Sequence, residues 1–309
     1  KPMGDNGTYF QQVPFVQYSL DLKQSSFELT VGGETSTLKL AADYLLSASL
    51  SEKETDIAAD MVFVGYGIQA PEVGLTELDG VDLNGKIAVL YSGAPSTFPT
   101  DLQAHFRGAR GKTEALASRG AKGVLIIGSP FRGGEWNEEV YKGFVQRKST
   151  SWLPKGEVDP ARNMVISYIH TDIADKIFKA SGTSLEAVEA DKEAGKMTSA
   201  ALKASAKIKR VSDFDLNTVI NSPNVVAVLE GTDPKLKHEY VFATAHLDHV
   251  GVSEHAEGDA DDKDLIHNGA MDNASGVSVM LEVARNFAKT GKAPKRSIIF
   301  SAVTAEEKG

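Results

Sequence analysis

The last seventy residues constrain the fold most. Tyr240–Ala245 is an apolar run of strand length, and Ser297–Val303 is a second. Between them, Ser275–Lys289 carries Val277, Met280, Leu281, Ala284, Phe287 and Ala288 at helical spacing, and Gly291 closes the segment. Apolar side chains at that spacing make one sticky stripe along a helix. Two strands joined through such a helix pair in parallel, with a right-handed crossover. The carboxyl ends of both strands and the start of the helix then share one edge of the sheet.

The preceding residues read as α/β too. Phe15–Leu20 and Ser26–Val31 alternate as half-buried strands do. Asn6-Gly7 signals a turn, and the polar stretch 49–55 reads as a connection. Met61–Tyr66, Lys86–Tyr91 and Gly123–Ile127 read as strands, and Thr113–Ser118 as a helix with Gly120 beyond its end. Thr171–Ala180, with Thr171 as N-cap, and Leu185–Glu193 read as further helices. Lys203–Arg210 is basic and reads as the solvated face of a strand, and Asn224–Glu230 as another strand. The fold class expected is α/β, a mixed and largely parallel sheet with flanking helices, plus an inserted α/β or β-rich domain.

Composition narrows the function. Lys+Arg total 33 against 42 Asp+Glu, a formal net charge of −9, which disfavours nucleic acid as a partner. No run reaches the ~18–20 apolar residues of a membrane-spanning helix. There is no cysteine, so disulfides, thiolate catalysis and Cys-ligated metals are excluded. A metal site here must be built from His, Asp and Glu.

Three motifs fall on the shared sheet edge. Ala245-His246-Leu247-Asp248-His249 follows the first strand, Asn268-Gly269-Ala270-Met271-Asp272-Asn273-Ala274-Ser275-Gly276 opens the helix, and Thr304-Ala305-Glu306-Glu307 follows the second strand. Ligands of open α/β sheets bind at the carboxyl ends of strands. An imidazole with several carboxylates suits Zn²⁺. In an extended segment His246 and Asp248 point the same way, so the carboxylate is placed to hold the ring of a metal-bound histidine. The adjacent side chains of Glu306 and Glu307 diverge, one toward a metal and one toward an attacking water as general base. Asp272 lies between and could bridge two metals. Taken singly, each residue has an ordinary alternative. Asp272, Asn273 or Ser275 could simply cap the helix, and Glu306-Glu307 could be surface charge. Their joint occurrence on one edge favours a site.

These motifs, preceded by Asn224-Val225-Val226-Ala227-Val228-Leu229-Glu230-Gly231 and followed by Lys308-Gly309, resemble the di-zinc exopeptidase family. That family includes bacterial secreted leucine-type aminopeptidases and glutamate carboxypeptidase II. The resemblance covers residues 1–55 and 205–309 as peptidase domain. Residues 56–204 resemble an inserted protease-associated domain through Met61–Ile68, Asp82–Pro95 and Leu116–Pro130. It implies His246 as ligand of one zinc, Asp272 as bridging ligand and Glu307 as ligand of the other zinc. Glu306 is then general base and acid, and Asp248 the catalytic-site carboxylate that orients His246. Two zinc ions per complete site, peptide substrates and a secreted or periplasmic location are implied. The family's remaining Asp and His ligands lie beyond the Glu-Glu pair, and the chain reads as an internal portion of a larger enzyme. An aminopeptidase is the leading expectation. The alternatives are a carboxypeptidase of the same family and a non-catalytic binding or receptor-type relative.

Other residues are assigned smaller parts. His249 is expected either to support a ligand from behind or to stand at the pocket rim, rather than to bind metal itself, and His267 and Asn273 are expected at the rim. His105, His170 and His238 are read as structural, His255 as a loop residue, and Trp136 and Trp152 as packing residues. The acidic stretch Glu257–Asp264 is read as a solvated rim that would favour a cationic peptide N-terminus. The glycosylation patterns Asn6-Gly7-Thr8 and Asn273-Ala274-Ser275 are read as coincidental.

Overall fold

A computed structural model describes residues 1–131, 134–152, 164–252 and 265–308. His255 and the acidic stretch Glu257–Asp264 lie outside the described residues. The chain divides into two compact units, Lys1–Gln17, Ser149–Leu153 and Leu216–Gly309 in one and Tyr18–Lys148 and Pro154–Asp215 in the other. The strand Ala200–Leu229 contributes residues to each.

The larger unit is a mixed sheet with helices. Glu54–Phe63, Ile87–Tyr91, Gly123–Ile127 and Val165–Ile169 lie side by side in parallel. Tyr44–Leu46 adds antiparallel to Val165–Ile169, and Ala200–Val211 pairs antiparallel with Glu54–Phe63. Ser26–Val31 pairs antiparallel with residues 204–209, and Glu34–Thr37 with Ser26–Val31. Two-sided burial explains the unbroken apolar runs at the centre. Ile87, Val89, Tyr91, Leu125 and Ile127 enter one core with Ala174, Ile177 and Phe178 of the helix Thr171–Ala180. Ala88, Leu90, Val124 and Ile126 enter a second core with Leu116 of the helix Ala109–Ala117.

The first strand of this parallel set differs from the expected Met61–Tyr66. It begins at Glu54, because its first half alternates exposed and buried positions like an edge of polar sequence. It stops at Phe63, because Gly65 and Gly67 turn the chain at φ +62° and +69°. The loop's amides at Tyr66 and Ile68 then donate to the Glu77 carboxylate, which would lie 2.3 Å from a Cβ on Gly65. The helix Thr171–Ala180 is capped not by Thr171 but by His170, whose Nδ1 accepts from the Asp172 amide at 3.0 Å. In the basic strand, Lys203 and Lys207 are exposed as expected. Arg210 is buried and donates to the Met164 carbonyl and the Thr55 hydroxyl.

The smaller unit carries the strand–helix–strand segment. Tyr240–His246 and Ser297–Val303 are parallel neighbours, in register from Tyr240 opposite Ser297 to His246 opposite Val303. Residues 225–229 pair antiparallel on the other side of Ser297–Val303. The helix Ser275–Thr290 lays Met280, Ala284 and Phe287 against Phe300, Ala302, Ala243 and Val225, and Gly291 ends it at φ +63°. Leu281 and Ala288 were expected in that stripe and are exposed instead. The helix packs on residues of the strands Tyr240–His246 and Ser297–Val303 and on Val225 and Leu229, and this contact leaves the two residues uncovered.

Candidate metal centre

Three elements deliver the site. The register that sets His246 opposite Val303 puts both strand ends level, and the Leu247 amide extends the pairing by donating to the Val303 carbonyl at 2.7 Å. The start of the helix Ser275–Thr290 is capped by Asn273, whose Oδ1 accepts from the Gly276 amide at 3.0 Å. Ser275 bonds back to the Met271 carbonyl. Asn273 therefore takes the capping role, and the Asp272 carboxylate is left facing the strand ends. A Cβ on Gly276 would lie 2.2 Å from Asn273 Oδ1, so this cap needs a glycine there.

The turn after Ser297–Val303 is held by side chains from elsewhere. The Thr304 amide donates to Asn224 Oδ1 at 2.9 Å. The amides of Glu306 and Glu307 donate to Asp248 Oδ1 and Oδ2, at 3.0 and 3.1 Å. Between them Ala305 sits at φ +58°, a left-handed conformation that costs an alanine about 1–2 kcal/mol. The two clamps hold this strained residue, and the turn it makes sends the Glu-Glu pair back over the strand end.

His246 is buried, with its two nitrogens in different hands. Nδ1 lies 2.9 Å from the Asp248 main-chain oxygen, and Nε2 lies 2.8 Å from Asp272 Oδ1. A carbonyl only accepts, so Nδ1 carries a proton and Nε2 is the nitrogen left to hold a metal. The hydrogen bond to the Asp248 carbonyl raises the His246 pKa, burial opposes it, and the Asp272 and Glu306 carboxylates raise it further. Asp248 thus orients His246 through its main chain. Its carboxylate, 3.9 Å from Nδ1, is occupied with the two glutamate amides.

The two glutamates differ. Glu307 is mostly covered, and its Oε1 lies 2.7 Å from His249 Nδ1. Glu306 is exposed, and its Oε2 stands 3.8 Å from His246 Nε2, beyond hydrogen-bond reach. Donor atoms of His246, Glu306 and Glu307 lie within 4.8 Å of one another, as do those of His249, Asp272 and Glu307. One imidazole, or two, with carboxylates is a donor set that fits zinc without cysteine. Of the residues expected at the rim, Asn273 is the helix cap and His267 faces His249 edge-on, ring centroids 6.1 Å apart. His249 lies deeper, against Glu307. Its neighbour Gly269 and the Asn224 clamp fall within the motifs quoted above, but their individual roles are not legible there, because each acts on a residue distant in the chain.

Residues 224–309 match the sequence profile of peptidase family M28. All the site residues above lie within the matched segment. No curated protein matches the chain. Among solved structures, an aminopeptidase from Aneurinibacillus sp. strain AM-1 is 21% identical, with 97% of this chain and 54% of that chain covered at a TM-score of 0.43. A peptidase M28 precursor from Shewanella amazonensis SB2B is 17% identical, covering 97% and 55%, at 0.39. A zinc aminopeptidase from Bacillus subtilis is 20% identical, covering 97% and 52%, at 0.35. The chain spans about half the length of the solved structures it matches. No helix among the described residues is long and apolar enough to cross a membrane.

Proposed function

We propose that the protein is a zinc-dependent exopeptidase, an aminopeptidase that releases N-terminal residues from peptides. The observation that carries this reading is the convergence of His246, Asp272, Glu306 and Glu307 where two parallel strands end and a helix begins. His246 through Nε2, Asp272 and Glu307 would hold zinc. Zinc, when bound, supplies Lewis acidity to the scissile carbonyl and the attacking water. Glu306, the exposed carboxylate, accepts a proton from the attacking water and delivers it to the departing amine. Asp248 fixes the His246 tautomer with its carbonyl and the Glu-Glu turn with its carboxylate. Residues 56–204 are read as a protease-associated insert, and the protein as secreted or periplasmic, in line with the sequence resemblance.

Glu306→Gln tests the roles. The variant should lose several orders of magnitude in kcat on peptides while keeping its zinc. Loss of zinc together with activity would overturn the division of labour between Glu306 and Glu307. Comparing peptides with a free N-terminus against N-blocked peptides with a free C-terminus separates the aminopeptidase from the carboxypeptidase of the same family. Cleavage of neither by zinc-loaded protein would favour a binding or receptor-type relative.

A further inference from the structure

Glu307 is fixed at both ends, and the second anchor is a residue outside the ligand set. Its amide is held by Asp248 Oδ2 at 3.1 Å, and its Oε1 by His249 Nδ1 at 2.7 Å. An ionised carboxylate only accepts hydrogen bonds, so Nδ1 of His249 carries the proton here. The contact spans 58 residues of sequence. His249 is itself wedged in place. A Cβ on Gly269 would come within 3.1 Å of His249 Cγ and 3.2 Å of its Cβ, and 2.9 Å of the Asp272 carbonyl. The ring therefore rests on the backbone of the segment that carries Asp272, with the His267 ring across from it. Glu306, with no such anchor on its carboxylate, is far more exposed, 58% against 18% for the side chains.

We propose that His249 is a positioning residue. Through Nδ1–H it locks the Glu307 carboxylate, leaving Oε2 to a divalent cation, and it couples Glu307 to the Asp272 segment across Gly269. This inference rests on the metal-site reading above. Partners of this kind are worth about 10–100-fold in metal affinity, because they spare the ligand the cost of being ordered at binding.

The test is zinc affinity, measured on metal-stripped protein by competition with a chromophoric chelator, for wild type, His249→Ala, His249→Asn and Glu307→Gln, with and without His249→Ala. Asparagine places an amide N–H near the position of Nδ1. His249→Ala should weaken zinc binding about 10–100-fold, His249→Asn should restore most of it, and His249→Ala should add little in the Glu307→Gln background. Unchanged affinity in His249→Ala, or an additive loss in the Glu307→Gln background, overturns the proposal. So does an asparagine variant as weak as alanine, which would make the ring a ligand itself. Wild-type protein that takes up no zinc would instead refute the metal-site reading. Melting temperatures of both His249 variants separate misfolding from lost affinity.

Discussion

Asp248→Asn is the sharpest perturbation of this site, because one carboxylate holds two consecutive amides beside a strained residue. Both oxygens accept, from Glu306 and Glu307, at 3.0 and 3.1 Å. Asparagine has one acceptor oxygen, and its NH₂ group would face the other amide donor-to-donor. One hydrogen bond to a charged group is lost, at about 1.5–3 kcal/mol, and the survivor becomes neutral and weaker. The expected loss is about 2–4 kcal/mol of local stability in the 305–307 turn, and the left-handed strain at Ala305 adds to the drive to open. At 1.36 kcal/mol per decade this is a rise of about 30- to 1,000-fold in the opening equilibrium. Amide hydrogen exchange of Glu306 and Glu307 reads it directly, with the core strand Gly123–Ile127 as the unaffected control. Main-chain orientation of His246 through the Asp248 carbonyl should survive, so zinc affinity should fall less than in His246→Ala. Unchanged exchange at 306 and 307 in a folded variant would refute the clamp.

Two further outcomes are expected. Lys112 is buried, and burial pushes its pKa down to about 8, partly offset by the Glu77 charge. The folded state therefore releases this proton before the unfolded state does, so stability rises with pH above 8. From pH 7.5 to 9.5 the gain is of the order of 2 kcal/mol. Above pH 10 the Tyr44 hydroxyl, pushed up to about 12 by burial, works in the opposite sense. Urea unfolding at the two pH values should show the gain in wild type and not in Lys112→Met, and the same slope in both would exclude Lys112 as its source. In the smaller unit, Gly276→Ala forces the Asn273 side chain off its cap, at a cost of about 1 kcal/mol. Because Asn273 adjoins Asp272, zinc affinity should fall along with the melting temperature. A fall in melting temperature alone would show that the cap does not position Asp272.

What could be read from sequence follows from how local the cause is. Gly123–Ile127 and Ser297–Val303 have the expected bounds, because continuous apolar runs fix a strand by composition. Glu54–Phe63 was half missed, because polar residues on its exposed face look like a loop until the neighbouring strands are known. The single strand Ala200–Leu229 reads from sequence as two separate pieces, Lys203–Arg210 and Asn224–Glu230, because the residues between them mix polar side chains with Pro223 and lack a long apolar run. The stripe on Ser275–Thr290 was legible, but not how much of it would be covered, because that depends on what packs beneath it.

The site divides along the same line. Candidate ligands announce themselves by type and by position at strand ends, so His246, Asp272, Glu306 and Glu307 could be named from sequence and are found together. The residues that aim them do not. Asn224 reaches Thr304, Asp248 reaches the amides of the Glu-Glu pair, and His249 reaches the Glu307 carboxylate, each across more than fifty residues. Asp248 shows the limit most plainly. Its alternation with His246 suggests that its carboxylate orients the ring, yet the main-chain oxygen does so and frees the carboxylate for the turn. A strand rule places side chains on a face, but it does not say which of two polar groups on one residue will meet a given partner. The strained turn at Ala305 makes the choice: amides forced out of the strand ladder need two acceptors at once, and within this turn the Asp248 carboxylate supplies both.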